Sequence, residues 1–247
     1  MFKRLIVFGL MFLTEGAWSQ PQLMLEMGGL WQHRNDVQIT PEQGTLVKFD
    51  RFGRGPFFHS RLELRHQLKG LGSGRHGYRA VVAPLNLRVT GQSSEVVNFN
   101  GRDFNANQDF TVSYKFNSYR LSYFYSAIVS EVQQLDLGLT LKLREAEIAF
   151  RQLGVEPSIY DNLGFVPLLY LNHQWFFAES WALHTNFDFA AAPQGRALDL
   201  AMKIRRSLSE PWTLAAGVRT LEGGADNNKV LTFSWINYAV MDLTYQF

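Results

Sequence analysis

The chain has 247 residues, of which 46% are hydrophobic, 14% aromatic and 19% charged, and its formal net charge is +2. The charged fraction is below the roughly 25% of an ordinary soluble domain, and no run of Lys and Arg interleaved with aromatic residues favours nucleic-acid binding. Because the sequence contains no cysteine, disulfide scaffolds, thiolate chemistry and cysteine metal sites are excluded.

The N-terminal segment has the pattern of a secretory signal peptide. Two basic residues precede an apolar run at 5–13, and the small residues Ala17 and Ser19 stand before a cleavage point at Gln20. The run is too short for a transmembrane helix, which needs about 20 apolar residues. We therefore predict a signal peptide at 1–19 and export through the inner membrane.

The remaining domain, residues 20–247, alternates apolar and polar residues with period two. At 135–143, for example, leucine occupies every odd position and a polar residue or glycine every even one. Successive side chains of a strand point to opposite faces, so each such segment has one apolar and one polar wall. Ten segments fit this description: 22–36, 56–69, 76–90, 108–129, 133–150, 160–178, 181–192, 195–208, 211–222 and 229–247.

The connections between these segments alternate in length. Long or glycine-rich connections are expected at 37–55, 91–107, 151–159, 193–194 and 223–228, and tight polar turns near 70–75, 130–132, 179–180 and 209–210. This alternation is typical of outer-membrane barrels and places both chain ends on the periplasmic side. We predict a closed antiparallel up-and-down transmembrane β-barrel of ten strands, with eight or twelve strands as alternatives.

One segment changes its apolar face. Apolar residues fall on even positions from Phe110 to Phe116 and on odd positions from Tyr119 to Tyr125. We predict a β-bulge at Asn117–Ser118, because one extra residue reverses the faces of a strand.

Period two does not by itself decide which wall faces inward. The polar walls are rich in charge, the apolar walls end in aromatic residues such as Trp181 and Trp212, and the signal peptide delivers the chain past the inner membrane. These features favour an apolar wall that faces lipid, and lipid requires a closed sheet because unpaired backbone groups are costly there. The alternative is a soluble periplasmic barrel that binds a lipophile.

The C-terminal sequence carries a resemblance to a known class. Leu243-Thr244-Tyr245-Gln246-Phe247 alternates apolar or aromatic with polar residues up to a terminal Phe. It resembles the C-terminal signature of bacterial outer-membrane β-barrel proteins, which implies that Tyr245 and Phe247 form the signal for the barrel-assembly machinery. No functional family within that porin-like class is identified.

The polar wall supplies the candidate lumen. Its charged members are expected to be Glu26, Arg61, Glu63, Arg65, Lys115, Arg120, Asp136, Lys142, Arg144, Asp188, Asp199, Lys203, Arg205, Arg219 and Asp242. In a ten-stranded barrel they would either pair into a rigid plug or line a narrow, slightly anion-preferring pore.

An enzymatic alternative depends on histidines. The group His33, Asn35 and Asp36 at the end of the first strand resembles the Asn-Asp placement of outer-membrane lipid A deacylases, and His66 follows an apolar face. A ten-stranded omptin-like protease is a further alternative, although no Asp-Asp pair or Asp-His dipeptide occurs. A capped strand-to-loop transition accounts for the Asn and Asp equally well.

We therefore predict a non-enzymatic outer-membrane barrel that acts as a narrow pore or as a structural or surface barrel. The expected partners are membrane lipid and lipopolysaccharide, the assembly machinery, and a small solute or ion if the lumen is open. No nucleic acid, cofactor or metal ion is predicted.

Overall fold

Antiparallel strands close into a single barrel. The computed structural model describes residues 20–68, 75–193 and 195–247, so the predicted signal peptide lies outside the described residues. The strands are β1 (Gln22–Gln38), β2 (Val47–Lys48), β3 (Phe57–Leu68), β4 (His76–Ala83), β5 (Asn86–Gly91), β6 (Val97–Phe99), β7 (Arg102–Phe104), β8 (Phe110–Val129), β9 (Gln133–Gln152), β10 (Val155–Ala178), β11 (Trp181–Ala192), β12 (Gly195–Ser209), β13 (Trp212–Asp226) and β14 (Leu231–Gln246).

Ten strands form the wall, as the sequence predicted. The main sheet has twelve segments, but β4 and β5 share one path along β8, and β2 is a two-residue addition to β1. Each remaining strand pairs with the next, and β14 pairs with β1 from Gln22↔Gln246 to Gln38↔Leu231, which closes the barrel. The helical element of the described residues is a three-residue 3-10 turn, and no described helix has the length and apolarity to span a membrane.

The two ends of the barrel differ. The turn end contains both ends of the described chain and the short turns, and the loop end contains the connections 39–56 and 92–109. The expected long connection at 151–159 is wrong, because β9 and β10 extend to a two-residue turn at Leu153 and Gly154. Gly154 has a φ of +77°, a left-handed conformation that glycine adopts without a steric penalty.

The predicted bulge at Asn117–Ser118 is absent. β8 keeps an unbroken register with β9 from Phe110 to Ser126, and the register shift lies between Ser126 and Ile128. Even-numbered residues of β8 therefore face inward along nearly its whole length. The change of apolar face arises because the interior itself changes from apolar near the loop end to polar below it.

The outer wall is apolar along the middle of the barrel. Leu121, Leu139, Leu169 and Met241 are between 58% and 66% exposed there. Aromatic side chains follow at the turn end, where the Trp212 and Tyr245 rings pack edge to face at 4.7 Å. An apolar band with aromatic residues at its border is the outer surface of a barrel that spans lipid.

The interior has two layers. Charged and polar side chains fill the turn end and the middle, whereas a hydrophobic core fills the loop end. In β4 and β5 the inward residues include Val81, Leu87 and Val89, so the apolar face of that segment points inward. The lumen is therefore charged along only part of its length.

Candidate functional site

All of the predicted lumen charges except Lys115 lie on the inner wall of the barrel. Lys115 is on the outer wall, because β8 lacks the bulge that would have turned it inward, and its ammonium pairs with the Glu145 carboxylate. The pair lies towards the loop end, above Tyr119.

The middle of the lumen contains a closed network of ion pairs. One half of it is centred on Asp188, whose two carboxylate oxygens each accept a hydrogen bond of 2.8 Å from Arg79 Nη2. Arg120 Nη1 donates to the same carboxylate at 2.7 Å, and the Arg79 guanidinium lies 4.0 Å from the centroid of the Tyr170 ring. Two arginines from β4 and β8 are thus tied to one carboxylate on β11.

The other half of the network is centred on Asp199 and Glu26. Arg120 and Arg219 donate to Asp199 at 2.6 and 2.5 Å, and Arg61 Nη1 donates at 3.3 Å. Glu26 accepts hydrogen bonds from Arg219 and, at 2.9 Å, from the Lys203 ammonium.

The charges of this network balance. We refer to it as the central network; its cations are Arg61, Arg79, Arg120, Lys203 and Arg219, and its anions are Glu26, Glu63, Asp188, Asp199 and Asp242. Each cation therefore has a buried carboxylate partner, which is the condition under which buried charge is tolerated.

A smaller polar cluster fills the lumen at the turn end. Arg65 donates to Asp136 at 2.7 Å, and the Asn172 side-chain amide donates to the same carboxylate at 2.8 Å. His184 Nε2 lies 2.6 Å from the Asn172 oxygen, and Arg205 donates to Gln174 at 2.9 Å.

Two small cavities lie among the charged side chains of the middle and the turn end of the lumen. One cavity beside Arg61 and Arg120 and another beside Arg65 and Arg205 each have a volume of about 20 Å³. A buried water needs roughly 10–15 Å³ of such volume. Each cavity therefore has room for about one water molecule, and neither is a path for a hydrated solute.

The loop end is closed by a second, apolar seal. The connections 39–56 and 92–109 bring Ile39, Phe49, Phe99 and Phe104 against Phe150, and all five side chains are at most 1% exposed. The rings of Phe99 and Phe150 stack at 4.4 Å. These loops fold into the mouth and cover the charged lumen.

Of the residues of the enzymatic alternative, His33 and Asp36 line one cavity of about 540 Å³ near the loop end, and Asn35 and His66 are not part of its lining. His33 is exposed and packs edge to face on Trp235 at 4.4 Å. Asn35 is buried and bonded to Gln32 and Ser234, whereas Asp36 accepts a hydrogen bond from the Arg34 guanidinium at 2.5 Å.

His66 belongs to a different part of the barrel. It lies in β3 towards the turn end, and its Nδ1 is 3.0 Å from the Tyr78 hydroxyl. His33, Asn35 and Asp36 lie in the loop-end half of β1.

The surroundings of Asn35 support a structural role and make a measurable prediction. Asn35 bridges Gln32 and Ser234, and Ser234 bonds in turn to the Tyr114 hydroxyl at 3.0 Å. Asn35→Ala leaves buried polar groups without partners, so we expect it to lower the free energy of unfolding by about 1–3 kcal/mol. His33→Ala, at an exposed position, should change it by roughly 0.5 kcal/mol or less. Guanidinium titration in lipid vesicles measures both, and equal effects would contradict this role.

Two predicted lumen residues line a larger cavity near the loop end. Lys142 and Arg144 of β9 border a cavity of about 400 Å³, which we call the side cavity, whose walls also include Phe116, Val166 and Ala190. Lys142 is 3% exposed, and its ammonium lies 4.8 Å from the centroid of the Phe116 ring.

Sequence reasoning missed the most buried cation of the central network. Arg79 is 0% exposed, but it shares a face of its segment with Val81, Leu85 and Leu87, so the polarity of that face alone predicts that it points to lipid. Gly77 on the same face was the sequence signal for a crowded, inward-facing side of this segment. Because it has no side chain, it leaves room for the Phe124 ring, which a Cβ would approach to 2.3 Å.

The predicted assembly residues lie at the turn end. The rings of Tyr245 and Phe247 pack edge to face at 5.0 Å, and the Phe247 backbone N–H donates to the Pro21 carbonyl at 3.0 Å. The C-terminus is thereby joined to the residue before β1. No described set of three or more metal-ligating side chains is clustered.

Comparison with known proteins identifies the fold. No family model and no curated protein matches the sequence. Among solved structures, the outer membrane protease OmpT from Escherichia coli matches with a TM-score of 0.57 and 9% identity, over 92% of this chain and 97% of that one. The transport unit of the autotransporter AIDA-I from Escherichia coli matches with a TM-score of 0.43 and 8% identity, over 98% and 94% of the two chains. The chain has the fold of bacterial outer-membrane β-barrel proteins.

Proposed function

We propose that this chain is a non-enzymatic outer-membrane β-barrel whose sealed lumen makes it a rigid support for its loop-end surface. The observation that carries the proposal is the central network, in which five cations and five carboxylates cross-link the inner wall. The apolar seal at the loop end, above this network, also supports a closed lumen.

The outer surface supports the location. Its apolar band faces lipid, the turn end with the C-terminal Phe247 faces the periplasm, and the loop end faces the exterior. Membrane lipid and lipopolysaccharide are then the neighbours of the wall, and the barrel-assembly machinery is the partner during insertion.

The proposal predicts that the folded protein does not conduct ions across a bilayer. Because the two cavities of about 20 Å³ each have room for about one water molecule and the charges of the central network are mutually paired, folded protein in a planar bilayer should give no steady conductance above the bare membrane. A general porin measured in the same bilayer provides the positive control, and a gel shift between heated and unheated samples shows that the inserted protein is folded. Stable conductance steps from the folded protein would favour the narrow pore instead.

A further inference from the structure

The wall of the barrel has a gap between β10 and β11. Their ladder ends at Leu169↔Phe189 towards the loop end. β10 nevertheless continues along β9 as far as Val155, and β11 continues along β12 to Ala192↔Gly195. Within the part of the chain that the structure describes, no ladder pair joins residues 165–167 to residues 190–192.

The side cavity opens through this gap. Its lining includes Val166 and Ala190, which belong to the inward-facing series of their strands, and also Phe165, Pro167 and Ala191, which belong to the outward-facing series. A cavity bordered by both faces of a strand pair reaches from the interior to the outer wall. The gap is therefore a lateral entrance.

The entrance lies at the loop-end border of the apolar part of the outer wall, where Leu163 pairs with Glu145 and Ala191 with Arg196. Phe165 is 68% exposed, and Leu163 and Leu169 on the same face are 66% and 59% exposed. In β9 the neighbouring outward residues are Leu141 and Leu143, which are paired with Pro167 and Phe165. Lipid tails would meet the entrance directly, and open strand edges are unfavourable in lipid unless something covers them.

The inner end of the side cavity carries positive charge without a counterion. Among the described residues neither Lys142 nor Arg144 forms an ion pair, and the buried Arg144 Nε has no hydrogen-bond acceptor. Asp199, which lines the same small cavity as Lys142, already binds Arg61, Arg120 and Arg219. Buried cations favour an anionic partner, because an uncompensated charge is costly.

The rest of the lining is mostly apolar, and its polar members include the ion-paired Arg196 and Glu222 as well as Asn227, Thr232 and Ser234. Leu85, Phe116, Leu221 and Ile236 line the cavity, and the volume of about 400 Å³ lies in the usual range of about 300–1,000 Å³ for small-molecule sites. The cavity thus combines a cationic inner end, apolar walls and a side entrance from lipid.

We propose that the side cavity binds a single-chain anionic amphiphile that enters between β10 and β11 from the outer leaflet, with its head group on Lys142 and Arg144. The inference rests on the proposed outer-membrane location. It does not require an open lumen, because the central network closes the barrel below the cavity.

The test uses palmitate that carries a photoreactive diazirine in its chain, added to the full-length protein in phosphatidylcholine vesicles. We expect cross-links in peptides that contain residues 164–168 and 190–192. A diazirine hexadecanol, which has a similar chain without charge, should cross-link at least about tenfold less, because a close charge pair in a desolvated site contributes more than 1.4 kcal/mol.

Three variants separate the head-group site from the entrance. Lys142→Met should reduce palmitate cross-linking about tenfold and leave hexadecanol unchanged, whereas Ala190→Trp should reduce both by filling the entrance. Lys115→Met is the matched control, because it removes a lysine of the outer wall and should change neither.

Either of two results would overturn the proposal. If the inserted protein cross-links palmitate and hexadecanol equally, this inference alone is contradicted. The same holds if the Lys142→Met variant cross-links palmitate as strongly as the unchanged protein. Protein that does not insert, as judged by the heat-dependent gel shift, would contradict the proposed location and this inference with it.

Discussion

Asp188→Ala is expected to lower the free energy of unfolding by about 3–5 kcal/mol, the range found when one partner of a buried ion pair is removed. Asp188 is 1% exposed and is the shared acceptor of Arg79 and Arg120. The substitution leaves two buried cations with fewer counterions. Guanidinium titration of the protein in lipid vesicles, followed by tryptophan fluorescence, measures the change.

Two further variants make this expectation specific. Adding Arg79→Met to Asp188→Ala removes one of the stranded cations, so the double variant should recover part of the loss. Lys115→Ala breaks an ion pair whose side chains are 31% and 36% exposed, and it should cost no more than about 1 kcal/mol. A loss below about 1 kcal/mol for Asp188→Ala would show that the central network does not stabilise the barrel.

Leu139→Arg tests which wall faces lipid. Leu139 is 66% exposed on the outer wall and is paired with Tyr123 on one side and Leu169 on the other, both of which also face outward. A charge at the middle of a lipid-facing strand costs about 2–4 kcal/mol. We expect a loss of that size in the free energy of unfolding from vesicles.

Leu153→Arg is the matched control for this measurement. Leu153 is 94% exposed but lies in the turn between β9 and β10, beyond the apolar band. Its replacement should change the free energy of unfolding by roughly 0.5 kcal/mol or less. Equal effects of the two substitutions would mean that the outer wall meets water, as in the soluble-barrel alternative.

The strand count and closure could be predicted from the sequence because they depend on local pattern. Period two, read segment by segment, gives ten strands whose bounds agree with the structure to within a few residues, apart from the extension of β9 and β10. The polarity of the interior near the loop end could not be predicted in this way. It depends on Phe49, Phe99 and Phe104, which come from two loops distant in sequence and pack against Phe150.

The errors at Lys115 and Arg79 share this cause. Assigning faces by polarity presumes that the apolar side points outward everywhere, and that rule reverses where loops fill the mouth. The side cavity was also beyond sequence reasoning, because it depends on where the β10–β11 ladder stops, at Leu169↔Phe189. Past that point both strands are apolar without alternation, at 165–168 and at 190–192, so the pattern does not mark where the pairing stops.

The carboxylate of Asp199 joins β12 to strands that are far apart in the chain. Its partners Arg61, Arg120 and Arg219 lie on β3, β8 and β13, so the junction exists only when the sheet has curled fully round. Before β1 meets β14, Arg61 and Arg120 are far from this acceptor, whereas Arg219 lies on β13, the neighbouring strand of β12. Meeting of the first and last strands therefore completes the neutralisation of the interior, and a half-curled intermediate lacks the ion pairs that Arg61 and Arg120 form with Asp199 across the lumen.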